Sequence, residues 1–489
     1  MKRVLAIIIS ITIILSSFTF VGCKKSDHGE KKVLRISNCE DYISTGDESG
    51  EYVDLLAKFT EETGIEVEYS TYSTNENLYN ELVINPKSYD IVIPSEYMIQ
   101  KLATEGRLKK LDTTKIPNYA NVSPFIKKRL ESISFEVIDG DYEGEQANLA
   151  EFAVGYMWGT MGWVYNTDKV SIDDVKTWNS VFASGKHNQR ATLKDSVRDS
   201  YLVGLGMVYE DELKQVIASG DNVNERVNAI FNRIDEESID KVGNKLASLK
   251  SSLYGFEVDS GKNDIVTGKI DAYVAWSGDA AYAIDEAADD GVSLDYYVPD
   301  CGSNIWFDGM VVPAESDNDD AIYKFINFIC DQENAVHNME YIGYSSVVAG
   351  DTVFEYVKEN FDEEDGTKEV KLGYFFSDDI NDANYVINVS EESYGRLMAQ
   401  YPEFNIVERC AVMSYFDPDT TISINNMWER VKGETFPIGL IIGATVLVVL
   451  IAAAIVLYRN KDSLKIKIPE FRRKTLADKG YKVVNKEEL

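Results

Sequence analysis

Histidine and cysteine are scarce in this chain: three histidines (His28, His187 and His337) and five cysteines serve 489 residues. The cysteines form no C-x-x-C and the histidines are scattered, so the ligand spacings of a structural zinc site are missing. No G-x-S-x-G, H-E-x-x-H or G-x-x-x-x-G-K-[ST] occurs, which removes the sequence grounds for a nucleophile elbow, a zinc hydrolase or a P-loop. "GLGMVY", residues 204–209, begins like a dinucleotide loop but lacks the third glycine. Basic charge is short too. Lysine and arginine number 49 against 82 aspartates and glutamates, a formal net charge of −33. The deficit is concentrated in residues 26–435, which hold 35 basic and 77 acidic side chains. Such a field repels nucleic acid and favours cationic partners. No fixed-period repeat or low-complexity array is present.

What remains is an ordinary globular composition, 44% hydrophobic and 27% charged, in a chain long enough for two or three domains. Both ends address a membrane. Lys2 and Arg3 precede the apolar stretch "VLAIIISITIILSSFTFV", the n-region and h-region of a secretory signal. It ends at "FVGC", which resembles a bacterial lipobox, with Phe20 where that pattern prefers leucine; cleavage would leave Cys23 to carry lipid. Near the other end, residues 436–458, "FPIGLIIGATVLVVLIAAAIVLY", carry no charge and suffice to span a bilayer. Arg459, Lys461, Lys465, Lys467 and Arg472-Arg473-Lys474 follow, so the positive-inside rule puts the tail in the cytoplasm and the acidic body outside. Cys39, Cys301, Cys330 and Cys410 then lie in the exported body, where three complete pairings are open.

Within the body, "VLRISN", "IEVEYSTY" and "YDIVIPS" read as strands, alternating with helices at "GEYVDLLAKFTEETG", "NENLYNELVI" and "EYMIQKLATEG". This predicts βαβ units and a parallel sheet covered on both faces. Residues 131–153 are polar and acidic and read as an inserted loop. "VGYMWGTMGWVYN" returns to strand, residues 162–292 look like a second lobe, and residues 319–343 form a long helical region. Between two α/β lobes joined by strand-like crossings lies a cleft, the usual place for a ligand.

"NIWFDGMVVP", residues 304–313, lies at such a crossing. Residues i and i+2 of a strand share a face, so Trp306 and Asp308 can project together. An indole face attracts a cation by roughly 0.5–2 kcal/mol. A carboxylate in a charge-assisted hydrogen bond adds roughly 1.5–3 kcal/mol. Together they describe a slot for an alkylammonium, although a core tryptophan beside a surface aspartate has the same spelling. "NCEDYI", "IPSEYMI", "YVAWSGDAA" and "YIGYSS" also set aromatic and polar residues where strands or helices end, as a lined cleft would.

These segments, with "FTEETGIEVEYSTYSTNENLY", "YDIVIPSEYMIQKL", "NIWFDGMVVP" and "NMEYIGYSS" as the most specific, resemble the spermidine/putrescine-binding proteins of polyamine ABC importers, in the periplasmic-binding-protein class. The likeness covers residues 33–350 and continues more weakly to 432. It implies an aromatic box with acidic groups at the amines. On this likeness Tyr42, Ser95, Tyr97, Trp276, Trp306, Asp308 and Tyr344 match ligand-binding positions, and Asp199 stands where the family has glutamate, after the matching Arg198. Cys39 replaces a tryptophan of many members, and Ser196 replaces an acidic residue of some, with Asp195 beside it. Glu40 is a further candidate next to Cys39.

The expectation is an α/β, two-lobed periplasmic-binding-protein fold with an inter-lobe cleft and one C-terminal transmembrane helix. Residues 1–22 are its signal peptide and 23–32 a tether; 33–160 with 309–350 make lobe 1, and 161–308 lobe 2. Residues 351–435 complete the body, 436–458 span the membrane, and 459–489 form a basic cytoplasmic tail. The implied function is non-catalytic: a binding protein without cofactor or metal that delivers a polyamine to permease and ATPase subunits, at a membrane and without nucleic acid. The rivals are another cationic solute such as thiamine or iron, a surface receptor or adhesin, and a carboxylate-dependent glycosidase. Iron would ask for paired tyrosines, and Tyr296-Tyr297 sit inside a strand where neighbouring side chains diverge.

Overall fold

A computed structural model of the chain describes residues 32–47 and 49–433. The expected signal peptide, Cys23, the expected span at 436–458 and the basic tail lie outside the described residues. Among the described residues no helix is long and apolar enough to cross a membrane.

The chain opens with β1 (Val33–Cys39), α1 (Leu55–Thr63), β2 (Glu66–Tyr72), α2 (Asn75–Ile84), β3 (Ile91–Val92) and α3 (Glu96–Thr104). Asp54 caps α1 by accepting from the Ala57 amide at 2.9 Å, and Thr74 caps α2 from Asn77 at 3.2 Å. Each satisfies an amide that the first helical turn leaves open. β1 runs parallel to both β2 and β3. The stretch read as an inserted loop is a hairpin of β4 (Ser134–Glu136) and β5 (Gln146–Asn148). Its acidic surface hides buried Val137, Ala147, Leu149 and Phe152, the apolar side that composition alone did not separate.

β6 (Ala153–Asn166) follows, with all fourteen residues buried. Burial on both faces explains its near-continuous apolar spelling. β7 (Ala191–Lys194), α4 (Val197–Val208), β8 (Gly255–Glu257), β9 (Ala272–Trp276), α5 (Ser277–Asp289), β10 (Leu294–Tyr297) and β11 (Ser303–Val311) come next. The sheet order is β2-β1-β3-β11-β6-β9-β7-β8, with β10 also on β6. It is not the all-parallel sheet expected. β7 lies parallel to β8 and β9, but β11 and β6 run antiparallel to each other, β11 to β3 and β6 to β9. The two long crossing strands reverse direction in the middle of the sheet, a topology that alternating helices and strands do not reveal.

The predicted long helical region is two helices, α6 (Asp319–Ile329) and α7 (Gln332–Ile342). Asp331 breaks it by capping α7 through the amides of Glu333 and Asn334. β12 (Ser345–Ser346) then pairs with β6, and α8 (Pro418–Lys432) ends the described chain.

Two apolar cores result. One holds Ile36, Phe59, Ile91, Ile99, Phe325 and Phe375; the other holds Trp163, Trp178, Leu193, Leu205, Val242 and Leu246. β9 serves both by alternation, with Tyr273 and Ala275 in the first and Ala272 and Val274 in the second. Met427 and Trp428 of α8 pack in the second core. Cys301, Cys330 and Cys410 are buried free thiols and Cys39 a half-buried one, so none of the three pairings forms.

Candidate functional site

The site is assembled from strand ends. After β1, Asp41 takes a left-handed backbone (φ 51°) and Asn38 donates to the Tyr42 carbonyl at 3.3 Å, which folds Tyr42 back over the sheet. Its hydroxyl donates to Asp308 Oδ2 at 2.6 Å. Asp308 sits where the register of β11 on β6 shifts, between Phe307 and Gly309. There the strand turns to the β3–α3 corner: Ser95 bridges Asp308, and the Gly309 amide donates to the Pro94 carbonyl at 3.0 Å. A bulge of this kind re-aims a side chain. Asn75 at the start of α2 fixes Ser95, giving its amide to Ser95 Oγ at 3.1 Å and accepting from the Ser95 N–H at 3.2 Å.

Aromatic rings continue from this carboxylate. Tyr42 meets Tyr344 edge-on with centroids 5.1 Å apart, and Tyr344 meets Trp306 at 5.7 Å. Two glycines make room. A Cβ on Gly159 would lie 2.5 Å from Trp306 Cζ2, and one on Gly278 would lie 2.3 Å from the Tyr344 ring. The Trp306 indole N–H donates to the Thr160 carbonyl at 3.2 Å, which holds the ring flat on β6.

The line then crosses to β7 and α4. The Tyr344 hydroxyl donates to Asp279 Oδ1 at 3.0 Å, and Asp279 Oδ2 lies 3.9 Å from Lys194 Nζ. Lys194 stands over the Trp276 ring, 4.3 Å from its centroid, and both Lys194 and Trp276 act to lower the buried Asp199 carboxyl. Arg198 stacks on Tyr97 with Cζ 3.9 Å from the ring centroid, and lies 4.1 Å from that of Phe416. Tyr97 in turn donates to Glu76 at 3.2 Å.

Burial dominates the electrostatics. It pushes the Asp308 carboxyl up to about 6 against the opposing hydrogen bonds of Tyr42 and Ser95. It also raises Asp199, with Ser196, Lys194 and Trp276 acting the other way. Glu96 is fully buried and pushed up to about 8, mainly by burial, although the Phe307 amide donates to it at 3.1 Å. The Cys39 thiol rises to about 12 through burial and the nearby Asp308.

The structure therefore links Tyr42, Ser95, Asp308, Tyr344 and Trp306 in one run of contacts, and joins Trp276 and Asp199 to it through Asp279 and Lys194. Cys39 lies beside Asp308. Ser196 serves as the cap of α4, accepting from the Asp199 amide at 3.4 Å. Asp195 gives its amide to the Glu257 carbonyl at 2.8 Å, and Glu40 lies exposed on the turn after β1. Asp279, Lys194 and Glu96 join the site without having stood out in the sequence. All three lie within or next to the segments that drew attention, but a charged residue at a strand or helix end is spelled the same whether buried or exposed. A separate surface groove, lined by Lys58, Lys115, Asp319, Tyr323 and Asn327 among others, includes none of the predicted residues.

Residues 54–350 match the family described as bacterial extracellular solute-binding protein. The chain belongs to that family. Among solute-binding relatives, the spermidine/putrescine-binding periplasmic protein of Escherichia coli K12 is 26% identical over 325 residues, 66% of this chain and 80% of that protein. The putrescine-binding periplasmic protein SpuD of Pseudomonas aeruginosa is 29% identical over 321 residues, 62% of this chain and 75% of that protein. The solved spermidine/putrescine ABC transporter substrate-binding protein PotD of Streptococcus pneumoniae superposes with a TM-score of 0.57 at 27% identity, covering 82% of this chain and 98% of its own. A chain from Listeria monocytogenes gives 0.59 at 26%, covering 82% and 99%. The fold is thus the two-lobed α/β fold of periplasmic binding proteins, and the family is one of solute-binding proteins.

Proposed function

We propose that this chain is the extracytoplasmic solute-binding component of an ABC importer and that its solute is a polyamine. The observation that carries the reading is the Tyr42–Asp308 pair at 2.6 Å, set against the Tyr344 and Trp306 rings. A buried carboxylate beside electron-rich ring faces suits an alkylammonium: the rings cover methylenes, and the carboxylate takes the charged end. The names of the relatives point to the same chemistry.

In this reading Asp308 takes a terminal amine, Trp306, Tyr344, Tyr42, Trp276 and Tyr97 wall the methylenes, and Asp199 stands at the far end. Residues 33–160 with 309–350 and residues 161–308 are the lobes that close on the ligand. Closure removes water and strengthens each ionic contact. Lipid on Cys23 and the span at 436–458 would hold the body at the outer membrane face, because a single acyl chain anchors only marginally. Permease and ATPase subunits are the partners.

A thermal-shift screen of the purified chain tests this. Putrescine, spermidine, spermine, cadaverine, thiamine and ferric iron are compared, and stabilisation follows occupancy. Stabilisation by polyamines is the expected result; a shift with thiamine or iron alone would move the assignment to that solute.

A further inference from the structure

The two ends of the proposed cleft differ in one respect. Asp308 accepts from the Tyr42 hydroxyl at 2.6 Å, and among the described residues no lysine or arginine is paired with it. At the other end a protein cation is already in place. Lys194 closes β7 and is almost fully buried, 2% exposed. Its ammonium donates to the Val258 carbonyl at 2.7 Å, lies 4.3 Å from the Trp276 ring centroid, and stands 3.9 Å from Asp279. It also acts electrostatically on Asp199 and Glu257. Asp279 is engaged further by Lys262 at 3.4 Å and by the Tyr344 hydroxyl at 3.0 Å. A lysine ammonium has the charge, size and three donors of a terminal alkylammonium, and this one has taken a tryptophan face and neighbouring carboxylates.

We propose that Lys194 is a built-in cation that fills the far amine position of the cleft and makes the site select the less charged amine, putrescine over spermidine. The inference rests on the polyamine reading above. Asp308 takes one ammonium of either amine, which leaves putrescine one further charge and spermidine two to place toward Trp276. A further ammonium near Trp276 must displace Lys194 or share its carboxylates at close range, and like charges in a desolvated interface are costly. Each added positive charge on the ligand is therefore penalised at the Lys194 end.

The experiment is calorimetric titration of the wild-type chain, Lys194→Gln and Lys194→Met with putrescine and with spermidine. Glutamine keeps a donor for the Val258 carbonyl and methionine keeps the apolar stem, while both remove the charge. Wild type is expected to bind putrescine tighter than spermidine by about tenfold or more. Each folded variant is expected to shift that ratio toward spermidine by about tenfold or more. Spermidine binding to wild type as tightly as putrescine overturns the proposal whatever the variants do, so a variant that fails to fold leaves the matter decided by wild type. An unchanged ratio in folded variants, judged by circular-dichroism melts, overturns it as well. Binding of neither amine to wild type overturns the polyamine reading itself; binding of both with an unchanged ratio overturns only the role of Lys194.

Discussion

The Tyr42 hydroxyl donates to Asp308 Oδ2 at 2.6 Å, joining residues 266 apart in the chain. The contact depends on two local features: the backward turn after β1, and the register shift that swings Asp308 toward Ser95. Asp308→Asn keeps shape and an acceptor for Tyr42 but removes the charge that an ammonium would meet. It should weaken polyamine binding about 10–100-fold, the scale of one charge-assisted hydrogen bond. The ligand-free variant should melt no lower than wild type at pH 8, because a buried ionised carboxylate has been replaced by a neutral amide. Calorimetry and a thermal melt check the two halves. Full affinity in the variant would remove Asp308 from the site.

The same carboxyl makes binding depend on pH. Burial holds it at about 6, above its ordinary value, so a growing share is neutral as pH falls below 6. An ammonium prefers the ionised form, so affinity should rise with pH through 6 and level off above 7. At pH 5 it should be about tenfold weaker than on the plateau. Titrations in buffers of different ionisation enthalpy should show a proton released on binding near pH 6. Asp308→Asn should abolish that part of the profile; the same profile in wild type and variant would mean another group is responsible.

Much of this arrangement was legible in sequence because strand ends announce themselves. Tyr42, Ser95 and Trp276 fall at or just past the ends of β1, β3 and β9, where composition marks a break, whereas period-two alternation alone does not set Asp308, because the register of β11 on β6 shifts there. Other features were not legible. The antiparallel passage of β6 and β11 is a matter of long-range register, which local patterning does not encode. The hairpin at 134–148 was hidden because its exposed acidic residues outnumber Val137 and Ala147. Lys194, Asp279 and Glu96 escaped because burial of a charge is decided by which elements close over it. In the sequence Arg198 only marks the position before Asp199, yet it stacks on Tyr97 at 3.9 Å, as Lys194 does on Trp276 at 4.3 Å. Two aromatic walls of the proposed slot thus each carry a protein cation on one ring face.

Trp306 depends on a small neighbour. A Cβ at Gly159 would fall 2.3 Å from Ser277 Oγ and 2.5 Å from Trp306 Cζ2, so Gly159→Ala must push the indole or part β6 from the start of α5. A loss of about 1–3 kcal/mol in stability is expected, as for other overpacked cores. Ligand affinity should fall with it, since the displaced ring is a wall of the slot. Denaturant unfolding and calorimetry on one preparation separate the effects. A stable variant with unchanged binding would show that Trp306 has space the structure does not give it.

Glu96 allows a test that needs no ligand. Its side chain is fully buried, one oxygen accepts from the Phe307 amide at 3.1 Å, and the other has no hydrogen-bond partner among the described residues. Burial raises its carboxyl to about 8, so it is held neutral at pH 7. A carboxyl raised on folding contributes its stabilisation at low pH and loses it as pH climbs through the folded value. Glu96→Gln has nearly the same shape and no proton to lose. Between the ordinary, unfolded value and the folded one, unfolding releases a proton from wild type and none from the variant, so wild type should lose about 1.4 kcal/mol per pH unit relative to the variant from pH 5 to 7 and level off above pH 8. Unfolding measured across that range reads the difference directly. Parallel curves from pH 5 to 9 would mean that Glu96 is ionised in the folded state throughout, and so reached by water or an unseen cation, whereas a loss that continues past pH 9 without levelling would mean that it stays protonated well beyond 8.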